Sequence, residues 1–180
     1  MTSAQVIRRA ACAAAVAILG LHSTASLAGS MTLTVDGIAT PIEVLSFKVG
    51  GTNAITIGGG GIGIGKVVYT EFLVTAAESA ASPLQLLRLN TGRHAATARL
   101  QVLAPNGVTP VSEWTFETVL FTSLSVESGA ADPKAKAPNT FLPPQTSFGM
   151  AFGKFCYRVF GSNGSVASET CWDLTRDVAV

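Results

Sequence analysis

Much of the chain alternates between apolar and polar residues, and this alternation predicts β-strands with one buried face. The segment from Met31 to Val35 alternates, and a turn signal, Asp36-Gly37, follows it. Pro41 to Val49 predicts a second strand, and Glu113 to Glu127 predicts a long one. One face of the long strand is apolar and the other is mixed; the apolar face comprises Trp114, Phe116, Leu120, Leu124 and Val126, and the mixed face Glu117, Val119, Phe121, Ser123 and Ser125. The pattern predicts a mainly β protein.

One helix of about ten residues interrupts the strands. Ser82 is a good N-cap, Pro83 suits the first helical position, and Gln85 completes a capping box. Gly92 stands where a left-handed C-cap is expected. Leucines at 84, 86 and 87 form an apolar stripe, so we expect this stripe to dock on a sheet. Beyond the helix, residues 96–102 alternate again and predict a half-buried strand.

A glycine-rich stretch precedes the helix and superficially resembles a nucleotide-binding loop. Residues 60–66, GGIGIGK, fit the pattern G-x-x-x-x-G-K. However, Val67 occupies the position of the magnesium-binding Ser or Thr, and the following KVVYTEFLVT has the composition of a strand rather than a helix. We interpret the stretch as a flexible or closely packed loop leading into one strand.

The last hairpin has the most specific local pattern. Asn163-Gly164 predicts a two-residue type I′ turn. With these two residues at the centre, the strands pair in one register. That register places three pairs on a solvated face and two on a core face: Arg158 with Glu169, Cys156 with Cys171 and Lys154 with Asp173; and Phe155 with Trp172 and Tyr157 with Thr170. The cysteine pair would be hydrogen-bonded, with Cα atoms about 5.5 Å apart, which permits a disulfide.

One connecting segment is rich in proline and differs from the strands. Residues 130–144 contain four of the 8 prolines, which predicts a long surface loop.

Residues 1–28 have the order of a secretory signal peptide: Arg8 and Arg9, an apolar run of about twelve residues, and small residues before a cleavage site between Ala28 and Gly29. That apolar run is shorter than the ~20 residues of a membrane-spanning helix. We therefore expect one domain, 29–180, exported to the periplasm or the extracellular space, without a stable membrane anchor. Export would supply the oxidising compartment in which Cys156 and Cys171 form a disulfide.

The net charge of the chain argues against nucleic acid as a partner. The chain has 12 basic and 11 acidic residues, and two of the basic ones lie in the signal peptide, which leaves 10 against 11 and a net charge near −1. Nucleic-acid binding needs a basic surface. Charged residues make up only 13% of the chain, which is typical of a subunit buried in an assembly and also of a secreted domain rich in Gly and Ala.

The sequence beyond the signal peptide offers no catalytic or metal-binding pattern. It has one histidine, His94, and two cysteines, whereas a zinc site wants three or four such ligands. No G-x-S-x-G motif occurs and no pair of carboxylates is singled out. Because His94 follows the helix C-cap, we expect it to satisfy last-turn carbonyls or to lie on the surface. We expect no enzyme activity, no cofactor and no metal.

The order of these elements resembles the Hcp family, the tube proteins of type VI secretion. The resemblance spans residues 31–174 and is most specific in the strand IEVLSFKVGG, the exit GKV from the glycine stretch and the segment TGRHAATARL. It implies a small antiparallel β-barrel with one short helix alongside, assembling into hexameric rings that stack into a tube. It also implies that loop 130–144 can reach an adjacent subunit, and that secreted cargo or other secretion-system proteins are partners.

Two functions follow from this resemblance. The first is a structural, self-assembling ring or tube protein. The second is an exported β-barrel binding module that keeps the fold without a tube role. The signal peptide and the cysteine pair distinguish them, because tube subunits of the family assemble in the cytoplasm and leave through the secretion machine.

Overall fold

The computed structural model describes residues 29–58, 61–128 and 143–180. The predicted signal peptide and most of the predicted proline-rich loop lie outside these ranges. Eleven strands and one helix follow one another: β1 Met31–Val35, β2 Ile38–Lys48, β3 Gly51–Gly58, β4 Gly61–Tyr69, β5 Phe72–Ala77, α1 Ser82–Thr91, β6 Ala95–Leu103, β7 Pro110–Glu127, β8 Gln145–Ala151, β9 Lys154–Phe160, β10 Val166–Asp173 and β11 Val178–Ala179.

Six antiparallel strands close into a barrel in the order β7-β6-β1-β2-β5-β8, and β8 pairs back onto β7. Strand β7 makes this closure possible because its two halves have different partners. Its first half pairs with β6 and β9, and its second half pairs with β8. Strands β9, β10 and β11 extend the sheet beyond the barrel.

The barrel interior is filled by apolar side chains from every barrel strand. Phe72 and Phe116 stack at its centre with ring centroids 4.5 Å apart. Their neighbours are almost completely buried: Leu33, Ile42, Leu100, Val119, Phe148 and Met150. Burying side chains of this size contributes roughly 1.5–3 kcal/mol each, so the core supplies the main stabilisation of the fold.

The predicted alternation along β7 is wrong for several residues after its midpoint, although Leu124 packs against the core as predicted. Thr118 has φ of 55°, a left-handed conformation that breaks the two-residue period. Val119 and Phe121 are therefore buried on the same side as Phe116, although the alternation assigned them to the opposite face. Val126, predicted to lie on the apolar face, is 52% exposed.

The predicted glycine loop is instead a two-stranded ribbon. Strands β3 and β4 pair with each other and leave the barrel between β2 and β5. The segment predicted as one strand is divided, because β4 ends before Thr70, whose N–H and hydroxyl both donate to the carbonyl of Gly50, at 2.8 and 2.9 Å. At the base of the ribbon, the ring of Tyr69 lies 5.0 Å from that of Phe155.

The helix forms where predicted but presents a different face. Gly92 takes the left-handed C-cap with φ of 62°, as expected. Ala81 is the N-cap and no side chain caps the helix, so the predicted capping box is wrong. Ser82 and Gln85 are buried against the barrel, where the Ser82 hydroxyl lies 3.3 Å from that of Thr146.

The three leucines of the helix were predicted to dock on the sheet and do not. Their exposed fractions are between 41% and 56%: Leu84, Leu86 and Leu87. The helix therefore exposes these three leucines, while Leu89 packs against the core beside the buried Ser82 and Gln85. Within the described ranges, no helix is long and apolar enough to cross a membrane.

Candidate functional site

The hairpin of β9 and β10 has the predicted register. Arg158 pairs with Glu169, Cys156 with Cys171 and Phe155 with Trp172. The turn, however, is a three-residue loop in which the N–H of Gly161 donates to the carbonyl of Ser165 at 2.8 Å. Gly164 alone takes a left-handed φ there, of 76°, so the type I′ prediction is wrong. A bulge between Val166 and Ser168 adds one residue and restores the predicted pairing.

The cysteine pair lies on the outward face of this hairpin. The structure joins Cys156 and Cys171 by a disulfide, with Cα atoms 4.0 Å apart. This spacing is closer to that of a non-hydrogen-bonded pair, about 4.5 Å, than to the predicted hydrogen-bonded pair. The bulge explains the difference, because an added residue shifts the alternation of the two kinds of pair.

The charged residues around the disulfide form ion pairs with one another within the subunit. The Nε of Arg158 donates to Glu169 at 2.7 Å, and this hydrogen bond raises the pKa of Arg158. Lys154 lies beside Asp173 in the register but bonds instead to Glu117 on β7, at 3.1 Å. The predicted pairing of Lys154 with Asp173 in the register is confirmed, but the lysine bonds to a carboxylate on a third strand.

Asp173 has its own local partners. Its Oδ1 accepts from the hydroxyl of Thr175 at 2.6 Å, and its Oδ2 accepts from the guanidinium of Arg176 at 2.9 Å. The Thr175 hydroxyl and the backbone N–H of Arg176 lower the pKa of Asp173 to about 2. Asp173 thus closes the turn after β10.

Glu113 is the centre of the charged surface, and no pattern in the sequence singled it out. Its side chain is 4% exposed, and each of its oxygens accepts from a guanidinium: Oε1 from Arg158 at 3.4 Å and Oε2 from Arg99. We call this surface the ion-pair face; it comprises Arg99, Glu113, Glu117, Lys154, Arg158 and Glu169. The sequence carries opposite charges on β6, β7 and β9. These charges can be recognised as one surface only when the pairing of the three strands is known.

A second outward surface carries few charges. Small hydroxyl side chains from β2, β5, β8 and the second half of β7 form it, and we call it the serine face: Ser46, Thr75, Ser123, Ser125 and Ser147. The hydroxyls of Thr75 and Ser147 lie 3.3 Å apart. These residues line a groove of about 370 Å³, in which Lys48 is the single charged lining residue.

Gly149 lies at the floor of this surface. A Cβ at this position would come within 2.6 Å of the Ser123 Oγ and 2.7 Å of a carboxylate oxygen of Glu71. Because β7 has a bulge between Phe121 and Ser123, the Thr122 hydroxyl also approaches this point. A side chain larger than glycine would therefore displace polar groups from the groove.

The described residues offer little for catalysis or metal binding. His94 is exposed just beyond the helix, and its carbonyl accepts from Arg88 at 3.2 Å. One group of potential metal ligands occurs within the described ranges, Cys156, Glu169 and Cys171, with ligand atoms within 4.8 Å of one another. Its two sulfurs are bonded to each other, so neither is a free thiolate.

The architecture is a small closed barrel with an additional two-stranded ribbon and outer faces of contrasting charge. The family described as "Type VI secretion system effector, Hcp" matches residues 25–158. The chain belongs to the Hcp family, and it is a structural protein of the type VI secretion tube class.

Solved structures agree on the fold. "Structure of a type six secretion system protein" matches with a TM-score of 0.67 and 19% identity over 85% of this chain and 100% of that chain. Hcp1 from Salmonella typhimurium matches with a TM-score of 0.67 and 20% identity over 85% of this chain and 99% of that chain. Hcp1 from Flavobacterium johnsoniae matches with a TM-score of 0.56 and 12% identity, over 80% and 98%. No curated protein matches the chain. The family match and the solved structures confirm the predicted family and the predicted barrel.

Proposed function

We propose that this chain is exported, that its mature form begins at Gly29, and that it assembles head to tail into closed rings, with six copies per ring. The family match over residues 25–158 supports assembly, and the charged, apolar and small-residue order of residues 1–28 supports export. Further copies of the chain are its primary partner, and the ring would serve secreted cargo or other proteins of the secretion system. A head-to-tail contact must close into a ring or continue as a filament.

The ribbon supports self-assembly on physical grounds. Within the described residues, β3 and β4 pair only with each other, so their outer edges present backbone groups to the surroundings. An isolated two-stranded ribbon is marginally stable in water. A neighbouring copy that covers the ribbon would stabilise it.

Mass measurement on the mature chain tests the assembly. We expect residues 29–180, purified in oxidising buffer, to give rings by size exclusion with light scattering and by negative-stain microscopy. Because low charge favours contacts other than exposed ion pairs, the rings should persist in added salt. Monomers at tens of micromolar and every salt concentration would reject assembly.

The export part of the proposal has a separate test. The full chain, expressed in a bacterium with its first 28 residues, should yield an exported form whose intact mass begins at Gly29 and lacks two hydrogens for the Cys156–Cys171 bond. Removal of residues 2–21 is the control and should retain the protein in the cytoplasm. Full-length protein in the cytoplasm, or free thiols in the exported form, would contradict it.

A second function is favoured by one feature, the disulfide on a surface face, which suits an oxidising compartment. In that case the chain is an exported binding module with the Hcp fold. The two readings differ in one measurable property, since the module would be monomeric and exported, whereas the ring protein would be multimeric.

A further inference from the structure

Two sulfurs and a carboxylate lie together on the outward face of the last hairpin. The ligand atoms of Cys156, Glu169 and Cys171 all lie within 4.8 Å of one another. The Sγ of Cys171 is 3.7 Å from Oε1 of Glu169. Both cysteines are half-buried and Glu169 is exposed, so an ion can reach the three side chains from solvent. In the oxidised chain the two sulfurs are joined, and the position is closed to a metal.

The backbone that carries these residues has supports other than the disulfide. The residue pairs on either side of the two cysteines, Phe155 with Trp172 and Tyr157 with Thr170, belong to the same ladder. Strand β9 also pairs along its other edge with β7, and Phe155 is buried in the core. Reduction should therefore leave two thiols at facing positions of a paired sheet. Rigid elements of this kind hold ligands more precisely than loops do.

The charges of the ion-pair face suit a divalent cation held by thiolates. Three cations and three anions give this face a formal charge of zero: Arg99, Lys154 and Arg158 against Glu113, Glu117 and Glu169. Two thiolates and one divalent ion leave that balance unchanged. The Nε of Arg158 donates to Oε1 of Glu169 at 2.7 Å and holds the carboxylate beside the sulfurs. The second oxygen of Glu169 can then bind the ion while Arg158 orients the group.

The three ligands also indicate which metal would bind. Thiolate is a soft ligand that favours zinc over magnesium or calcium, and zinc accepts a carboxylate oxygen as well. Three protein ligands leave one of the four tetrahedral positions for water. The sequence predicted no metal site because the chain beyond the signal peptide has two cysteines and one histidine. The folded hairpin adds a carboxylate as the third ligand.

We propose that Cys156, Cys171 and Glu169 bind Zn²⁺ when the disulfide is reduced. A dithiol reductant breaks the S–S bond by supplying two electrons and two protons, and is itself oxidised to a disulfide. Zinc then displaces the two thiol protons to solvent and forms two Zn–S bonds. The hairpin therefore carries zinc in a reducing compartment and a disulfide in an oxidising one. Zinc binding does not require a ring, so this inference and the proposed function can fail separately.

Metal titration of the reduced chain tests the site. Residues 29–180 are reduced with a phosphine in the absence of oxygen and titrated with Zn²⁺ in competition with a chromophoric chelator. The reduced chain should bind one Zn²⁺ per chain, whereas the oxidised chain should bind none at the same concentrations. Co²⁺, used as a second probe, should give the visible absorption of a tetrahedral site with thiolate ligands. Circular dichroism reports whether the reduced chain is folded.

Three variants identify the ligands. Cys171→Ser should abolish binding, because a single thiolate and a carboxylate remain. Glu169→Gln should weaken binding at least about tenfold, since loss of even an outer partner of a ligand typically costs 10–100-fold. Glu117→Gln is the matched control: it removes a carboxylate of the same face that bonds to Lys154, and it should leave the zinc affinity unchanged.

Several results would overturn the proposal. One is a reduced chain that binds no zinc, whether it is folded or not. Another is equal zinc affinity in Glu169→Gln and the wild-type chain; this variant keeps both sulfurs, so it decides the matter if Cys171→Ser does not fold. A third is one zinc ion shared between two chains, which light scattering with and without zinc would detect as a doubled mass.

Discussion

The ion-pair face and the serine face use the same structural positions in opposite ways. Both consist of outward side chains on antiparallel strands of one continuous sheet. On the ion-pair face, long charged side chains satisfy one another across β6, β7, β9 and β10. On the serine face, short hydroxyls leave a groove and mostly uncharged surface. The first face stabilises the subunit through its ion pairs, whereas the recorded contact between hydroxyls of the second is the one from Thr75 to Ser147.

This comparison predicts that substitutions on the ion-pair face destabilise the monomer more than those on the serine face. The largest effect should come from the disulfide beside the ion pairs. Replacing Cys156 and Cys171 together by Ala should lower the free energy of unfolding by roughly 3 kcal/mol, because the bond closes a loop with a sequence separation of 15. Urea unfolding in oxidising buffer measures it. Ser168→Ala, at an exposed position of the same strand, is the control. Equal stability of the double cysteine variant and the wild-type chain would contradict the prediction.

The second effect concerns Glu113. Glu113→Gln keeps the shape of the side chain but removes the charge that two guanidinium groups share. Because the side chains of Arg99 and Arg158 are 52% and 40% exposed, water recovers part of the loss. We therefore expect a decrease of about 2 kcal/mol in the free energy of unfolding.

Glu169→Gln serves as the matched control for Glu113. Glu169 also bonds to Arg158, but its side chain is 39% exposed, so the cost should be below about 1 kcal/mol. A loss at Glu169 as large as the loss at Glu113 would show that burial does not set the difference.

A smaller effect is expected on the serine face. Gly149→Ala should lower the free energy of unfolding by about 1 kcal/mol, since the added Cβ displaces the Ser123 hydroxyl and the Glu71 carboxylate. Ser125→Ala, on the same face but exposed, should change it by less than about 0.5 kcal/mol. Chemical unfolding of both variants under non-assembling conditions gives the comparison, and a large loss at Ser125 would mean that this face also stabilises the monomer.

The last effect appears only in acid. The hydrogen bond from the Thr175 hydroxyl, with that from the Arg176 backbone, lowers the pKa of Asp173 to about 2 from 3.8. Because the folded pKa is the lower one, the stabilisation is present above about pH 4 and is lost as pH falls toward 2. Asp173→Asn should flatten this part of a plot of stability against pH. An unchanged slope between pH 4 and 2 would contradict the prediction.

The sequence predicted the body of the last hairpin well because independent signals agreed there. Opposite charges, two cysteines and two aromatic residues all favoured one register. The turn itself was less predictable, since Asn163-Gly164 also suits a longer loop in which only the glycine has positive φ. The bulge at Val166–Ser168 compensates for the longer loop. The residue pairs predicted from the type I′ turn are therefore correct, although the turn type is not.

Other features depend on physical information that local pattern does not contain. Thr118 has no sequence signal for its left-handed backbone, so the reversal of faces in β7 was missed. Periodicity found the helix but could not show which side chains the barrel covers, and Gln85 rather than the leucines is buried. The two arginines around Glu113 come together only when three strands are aligned.

The divided pairing of β7 also sets an order for folding. Its first half can pair with β6 across a short turn, whereas closure of the barrel waits for β8. Thr75 on β5 and Ser147 on β8 are 72 residues apart in sequence, so this contact is among the most distant in the barrel. During synthesis, β5 leaves the ribosome well before its partner and presents an open edge until β8 arrives. Barrel closure is therefore expected to be the slow step of folding, and the interval before it is when an unfinished chain is most exposed to aggregation.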